Sequence, residues 1–327
     1  MSKGNFFAIG SREFDQACKL GMNQAVAFLV MARGTGRDNS TTSWSALSVF
    51  NHSGISRRRA QAAIESICSS GLAEIIQTGK NPRYKLRKPE DEKTLLWLPN
   101  ELITGAGNEI PPITKLRESG ELHFLQKFIQ LYGQQDLDSD GGISRHIAKR
   151  TYSREKICDT GRFVLYAFNA ENHATASSIG PFDGYHKKED ENGNKGPWIV
   201  LTPLREMGLI EQVTYMVESS EDESELIYPI NGETDAALDR LVDWLSETGG
   251  HGYSLEAQSA DKIGIAPKHI KKATMVDCFR LKYRPKTGKT SRWWALEKEQ
   301  ERAICTIIDD ITGASKSKTV HIKANQG

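Results

Sequence analysis

The sequence has no apolar run near the roughly 18 to 20 residues that a membrane-spanning helix requires, and its opening, "MSKGNFFAIGSREF", contains no signal-peptide core. Its five cysteines (Cys18, Cys68, Cys158, Cys278 and Cys305) are scattered, with no CxxC pair. Neither a structural zinc nor a disulfide framework is expected, and reduced thiols in a cytoplasmic, nucleoid-associated protein are. HExxH, GxSxG and the dinucleotide-binding glycine pattern are all missing. Two near-motifs fail on a single residue each. "DLDSDGG" (Asp136–Gly142) begins like a calcium loop but has Ile147 where the twelfth-position glutamate belongs. "TGKTS" has Tyr283 where a phosphate-binding loop needs its first glycine. The expectation is a non-enzymatic protein with no catalytic residue, no metal and no cofactor.

Net charge is scarce too, at +1 over 327 residues, but the balance hides a strong asymmetry. Residues 1–89 carry 13 Lys and Arg against 5 Asp and Glu, residues 90–245 carry 15 against 28, and residues 246–327 carry 15 against 9. Basic ends around an acidic centre predict a polyanionic partner for the ends and a different task for the middle.

The first basic segment shows how its charge is arranged. "MNQAVAFLVMARG" (Met22–Gly34) predicts an apolar core helix, and "SWSALSVFNHSG" a second, shorter one. Ser56 then stands as N-cap before Arg57, Arg58 and Arg59, with Ala60, Ile64 and Ile67 recurring at helical spacing toward the core. Cations in a first helical turn oppose the helix dipole, a conflict that an anionic ligand removes. After Gly71, "LAEIIQT" and "RYKLRK" predict two strands around the turn "GKNP", which carry Lys80, Asn81, Arg83 and Lys85.

This order of helix, helix, basic helix and basic hairpin resembles the winged helix-turn-helix family of DNA-binding domains, over roughly residues 20–88. The resemblance implies that the Ser56–Ser70 helix enters the major groove while the hairpin touches backbone or minor groove. Arg57, Arg58, Arg59, Lys80, Arg83 and Lys85 would then hold phosphates, with Arg58 and Gln61 facing base edges.

Two further segments suggest related units. Leu122, Leu125, Phe128, Ile129 and Tyr132 share one helical face, and "PWIVLTPLREMGLIEQVTYMVESSEDESELIYPI" predicts a helix ending at Gly208 followed by two strands. The intervening turn, "ESSEDESE" (Glu218–Glu225), has five acidic residues in eight and none basic, so it would repel DNA. It suits a protein partner better. Residues 154–196 are expected to be an insertion with an exposed loop at "GYHKKEDENGNKG", and the apolar runs "GRFVLYAFNA" and "PWIVL" to be core rather than pocket lining. Further on, "SLEAQSADKIG" and a segment starting near Pro267 predict two helices, the second carrying Lys268, His269, Lys271 and Lys272. "RLKYRPKTGKTSRWWAL" then predicts another hairpin, decorated by Lys282, Arg284, Lys286, Lys289 and Arg292, before a last helix.

The sequence therefore predicts a mainly α (α+β) chain of tandem winged helix-turn-helix domains with small β-hairpin wings. Their expected limits are a basic domain over 1–89, an acidic one over 90–233 and a basic one over 234–315, with a disordered tail over 316–327. The predicted function is sequence-specific binding of double-stranded DNA by a transcriptional regulator of a bacterial or mobile-element system. A plasmid or phage replication initiator, or an accessory or inhibitory factor docking through its acidic middle, are the alternatives. A homodimer and a protein partner at the acidic segment are further expectations.

Overall fold

Eight consecutive residues, Ala25 to Ala32, are buried in helix α2 (Met22–Arg33). A helix buried on every side must lie at the centre of its unit, and α1 (Ser11–Leu20), α3 (Ala46–Ser53) and α4 (Arg57–Ser69) all pack on it. The computed structural model describes residues 5–89, 91–138, 141–176, 180–185, 187–247, 260–284 and 287–313. It divides into two compact units, the first built from Met1–Gln135, Val200–Ile210 and Leu281–Lys286, the second from the remainder.

In the first unit, α4 buries Ala60, Ala63, Ile64 and Ile67, the i, i+3, i+4, i+7 stripe of an amphipathic helix. It stops at Gly71, whose φ of 75° is unfavourable for any residue with a Cβ. The Leu72 N–H then donates to the Ile67 carbonyl, turning the chain into β3 (Ala73–Gln77). β3 pairs antiparallel with β4 (Arg83–Leu86), which also pairs with the short β2 (Thr41–Thr42), giving a three-stranded sheet of order β2-β4-β3. A second pair, β1 (Phe6–Gly10) with β5 (Leu95–Pro99), leads into α5 (Glu101–Thr104), α6 (Pro112–Glu118) and α7 (Leu122–Leu131). The apolar face of α7 is buried through Leu125, Phe128, Ile129 and Leu131. The Tyr132 hydroxyl, beyond it, donates to the Tyr283 carbonyl.

Gly34 closes α2 where only hydrogen fits. A Cβ there would lie 2.2 Å from Trp44 Cγ and 2.6 Å from Thr42 Oγ1. Trp44 has little room to yield, because its ring stacks on His52 at 4.7 Å and its backbone N–H donates to Thr42 Oγ1 at 3.0 Å. Gly34→Ala should cost about 1–3 kcal/mol through overpacking, read as a lower urea midpoint; an unchanged midpoint would show that this corner is pliable.

The second unit corrects the predicted fold class. It is not an array of small hairpin wings on helices but a six-stranded sheet in which β10 (Lys262–Pro267), β7 (Phe163–Ala176), β6 (Ala148–Asp159), β11 (Thr274–Leu281), β8 (Ile210–Val217) and β9 (Leu226–Ile230) lie side by side in that order. Its spine is the long hairpin of β6 (Ala148–Asp159) and β7 (Phe163–Ala176), the segment read as an insertion. Leu165, Ala167 and Phe168 of β7 lie in the core, as expected for that apolar run. On β6, Arg154, Glu155 and Lys156 are exposed. The helix ending at Gly208 is present as α8 (Trp198–Glu206), most of which belongs to the first unit, and the chain then enters β8 (Ile210–Val217) and β9 (Leu226–Ile230) of the sheet.

The expected third winged helix is also overturned. The segment around Pro267 is strand β10 (Lys262–Pro267), not a helix, and Lys268, His269, Lys271 and Lys272 lie in its turn to β11 (Thr274–Leu281). Proline suits this place because β10 is an edge strand, where a missing N–H breaks no ladder. The expected hairpin after Lys282 is instead the start of α10 (Gly288–Thr312), whose N-cap Thr287 exchanges hydrogen bonds with Thr290 in a capping box. Most of the predicted helix "SLEAQSADKIG", Lys286 and the tail over 316–327 lie outside the described residues.

The sheet curls so that its two edges approach. The Tyr228 hydroxyl of β9 donates to the Ile265 carbonyl of β10 at 2.8 Å and accepts from the Ile265 N–H at 2.9 Å. One side chain thereby joins both edges, while α9 (Gly232–Glu247) and α10 pack over them through Ala237, Leu238, Leu241, Ile304 and Ile308. Buried edges of this kind avoid the unpaired backbone that open sheets present.

Candidate nucleic-acid interface

The first turn of α4 presents Arg57, Arg58 and Arg59, all exposed, and contains no acidic residue. Each cation opposes the helix dipole at a cost of about 0.3–1 kcal/mol. Ser56 enters the helix with extended ψ, but its hydroxyl accepts no bond from the first-turn backbone. Among the described residues, no carboxylate lies within ion-pairing distance of the three guanidinium groups, and no side-chain hydrogen bond holds them. Positive charge and free first-turn N–H groups thus coincide at one exposed spot.

Gln61, on the next turn, donates from Nε2 to Glu65 Oε1 at 2.9 Å. Both are exposed, so Gln61 reaches a base edge only by releasing an exposed bond of modest worth. In the hairpin, Lys80, Asn81, Arg83 and Lys85 are exposed. Strand alternation sets Arg83 and Lys85 on the outer face, because Tyr84 and Leu86 between them are buried. Helix and hairpin are joined directly through Leu72 and belong to one unit, so these nine residues from Ser56 to Lys85 are held on a common frame.

Among the described residues, the remaining basic candidates form no second copy of this arrangement. Lys268 pairs with Asp159 at 2.8 Å, and the Lys268 hydrogen bond leads the interactions that hold the Asp159 carboxyl below its ordinary pKa. His269, Lys271 and Lys272 are exposed in the β10–β11 turn, where the Lys271 carbonyl accepts from Arg154 at 2.7 Å. Lys282 pairs with Glu109 at 3.1 Å, and Glu109 is held low first by the Tyr283 hydroxyl and then by Lys282. Arg284 donates to the Leu281 carbonyl, and Lys289 pairs with Asp138 at 2.7 Å. Arg292 is exposed on α10. Several of these charges are therefore answered from within the chain, whereas Arg57–Arg59 have no such partner among the described residues.

The acidic turn at 218–225 is answered internally as well. Lys149 donates to Asp222 at 2.6 Å, His146 lies 3.3 Å from the same carboxylate, and Arg145 donates to the Ser224 carbonyl at 2.6 Å. Burial pushes the Asp222 carboxyl up, but hydrogen bonds and charge from Lys149 and His146 outweigh it and leave the pKa lowered. A carboxyl lowered by folding stabilises above its unfolded pKa of about 3.9 and loses that contribution as pH falls through the folded value. Lys149→Ala should therefore lower the urea midpoint at pH 7 and shrink its decline below pH 4; an identical acid limb would remove Lys149 from the account.

Two features escaped the sequence reading. Arg33 lies over Trp44 at 5.6 Å, with Trp44 stacked on His52. No spacing rule links residues 33, 44 and 52. Ile75 and Ile76, read only as strand residues, are 47% and 50% exposed on β3. Their adjacency, which breaks apolar/polar alternation, was the available signal.

No family model and no curated protein matches the chain. Among solved structures it is similar to the crystal structure of an IclR family transcriptional regulator from Brucella abortus, at 11% identity over 92% of this chain and 95% of that one. The TM-score is 0.17, and at that value the likeness carries no argument about fold or function. Among the described residues, no helix is long and apolar enough to cross a membrane.

Proposed function

We propose that the chain is a non-enzymatic, double-stranded DNA-binding protein that acts as a transcriptional regulator through its N-terminal unit. The order α2, β2, α3, α4, β3, β4 with sheet order β2-β4-β3 has the layout of a winged helix-turn-helix, with α4 in the recognition position. The observation that carries the reading is the set of three exposed arginines at the start of α4 with no carboxylate partner among the described residues. Phosphate resolves their conflict with the helix dipole, since it accepts from both guanidinium and backbone N–H groups. Arg57, Arg59, Lys80, Arg83 and Lys85 then set register on the backbone, while Arg58 and Gln61 meet base edges, arginine favouring guanine and glutamine adenine.

Selection of bound fragments from random duplex DNA tests this reading. Enrichment of one short motif containing a guanine step supports it. Recovery of a pool as random as the input, with retention on the protein, would reduce the function to non-specific grip.

A further inference from the structure

We infer that the β3–β4 hairpin carries an aliphatic wedge, Ile76 backed by Ile75, that enters a base step of the minor groove. The inference rests on the DNA-binding reading and adds a contact that cationic residues do not supply. Three observations lead to it. First, the strand register steps from Ile75 opposite Tyr84 to Gln77 opposite Arg83, so Ile76 has no partner across the ladder and occupies a β-bulge. Bulges re-aim a side chain out of the sheet's regular pattern. Second, β3 is the edge of its sheet, and both isoleucines keep about half of their surface exposed there. An apolar pair left exposed on an edge strand invites aggregation unless a partner covers it. Third, the surrounding cations choose the partner. Arg83 stands opposite Gln77, next to the bulge, and Lys80, Arg83 and Lys85 are exposed without an ion pair among the described residues.

A protein surface of ordinary size buries about 800 Å² per partner, far beyond what two half-exposed isoleucines offer. A base step needs only one side chain. Apolar wedges flanked by cations unstack such a step and bend the duplex toward the major groove. Flexible pyrimidine–purine steps yield most easily, so the wedge would also select sequence at a position with no hydrogen-bonded base.

The test uses the intact chain and a selected duplex bearing 2-aminopurine in turn at each position flanking the α4 footprint. The wild-type protein should raise fluorescence at one step, through unstacking. Ile76→Ala should abolish that rise and weaken binding about tenfold, the worth of one partly buried aliphatic side chain. Ile76→Leu should retain both, and the cation-dependent salt slope should be the same in all three proteins. Tight binding with no fluorescence change at any step, or an Ile76→Ala protein that binds as wild type, overturns the wedge while leaving the DNA reading intact. Loss of self-association in Ile76→Ala by sedimentation, with DNA affinity unchanged, assigns the patch to a second copy and overturns it too. Absence of any duplex binding by the wild type is the separate failure of the function proposed above.

Discussion

Replacing Arg57, Arg58 and Arg59 together with alanine should weaken duplex binding about a hundredfold or more at low salt. The slope of log affinity against log salt should become shallower by about 0.9 for each phosphate contact removed. Damaged folding is the usual alternative source of such a loss, but here the two effects run in opposite directions. The three cations sit at a helix N-terminus with no acidic neighbour in the first turn, and each destabilises α4 by about 0.3–1 kcal/mol. Alanine removes that penalty and is itself the best helix former. The triple variant should therefore melt at the wild-type temperature or above it while losing its ligand. Unchanged affinity and slope in a well-folded variant would take α4 out of the interface. Arg58→Ala alone should cost about 1–3 kcal/mol at one base pair and relax the choice of base there.

The second large effect concerns the other unit. Glu297→Ala should destabilise it by about 3–5 kcal/mol, the usual consequence of stranding one member of a buried ion pair. Arg280 is 4% exposed and lies 3.3 Å from Glu297, which is itself 5% exposed. The Tyr215 hydroxyl donates to the same carboxylate at 2.9 Å, and the guanidinium rests over Trp294 at 4.2 Å and Tyr215 at 5.2 Å. Removing the carboxylate leaves a cation with aromatic faces but less opposite charge, in a place water does not reach. Replacing both residues, as Arg280→Met with Glu297→Leu, should be close to neutral, because two desolvation penalties vanish with the attraction. Urea unfolding of the three proteins reads this directly. A Glu297→Ala cost below about 1 kcal/mol would show that the aromatic box alone satisfies Arg280.

Close by, Asp277 is fully buried and accepts from Tyr152 at 3.0 Å, Gln212 at 2.6 Å and Thr214 at 2.7 Å. Saturated in this way, a buried carboxylate helps to fix which strands lie side by side, since Tyr152 is on β6, Thr214 on β8 and Asp277 on β11.

The helices and hairpin over residues 22–88 were legible because they are local, whereas β1 of the same unit pairs with the distant β5 and neither strand was read from the sequence. A helix from residue 57 with Ala60, Ile64 and Ile67 inward, a glycine stop and a short hairpin need no distant partner to be read. The sheet of the second unit was hidden for the opposite reason. β7 pairs with β10 some hundred residues later, and β6 pairs with β11 across a similar gap, and no periodicity within either strand names its partner. Two local signals also pointed the wrong way. Pro267 suggested a helix start, and the Thr-Gly-Lys run suggested a turn between strands. Each has a second physical meaning, namely an edge-strand terminus and a helix cap, and tertiary context selected it. Of the candidate contacts, the charge of Arg57–Arg59 was visible in the sequence, but the absence of an ion-pairing carboxylate among the described residues was not, because pairing depends on which acids the fold brings near.

Fluorescence anisotropy of the intact protein on a labelled mixed-sequence duplex, titrated at several salt concentrations, tests the central claim most directly. The account predicts binding that tightens steeply as salt falls, with a slope reporting several released counterions. Anisotropy that stays flat at the lowest salt, with the protein folded, would contradict it.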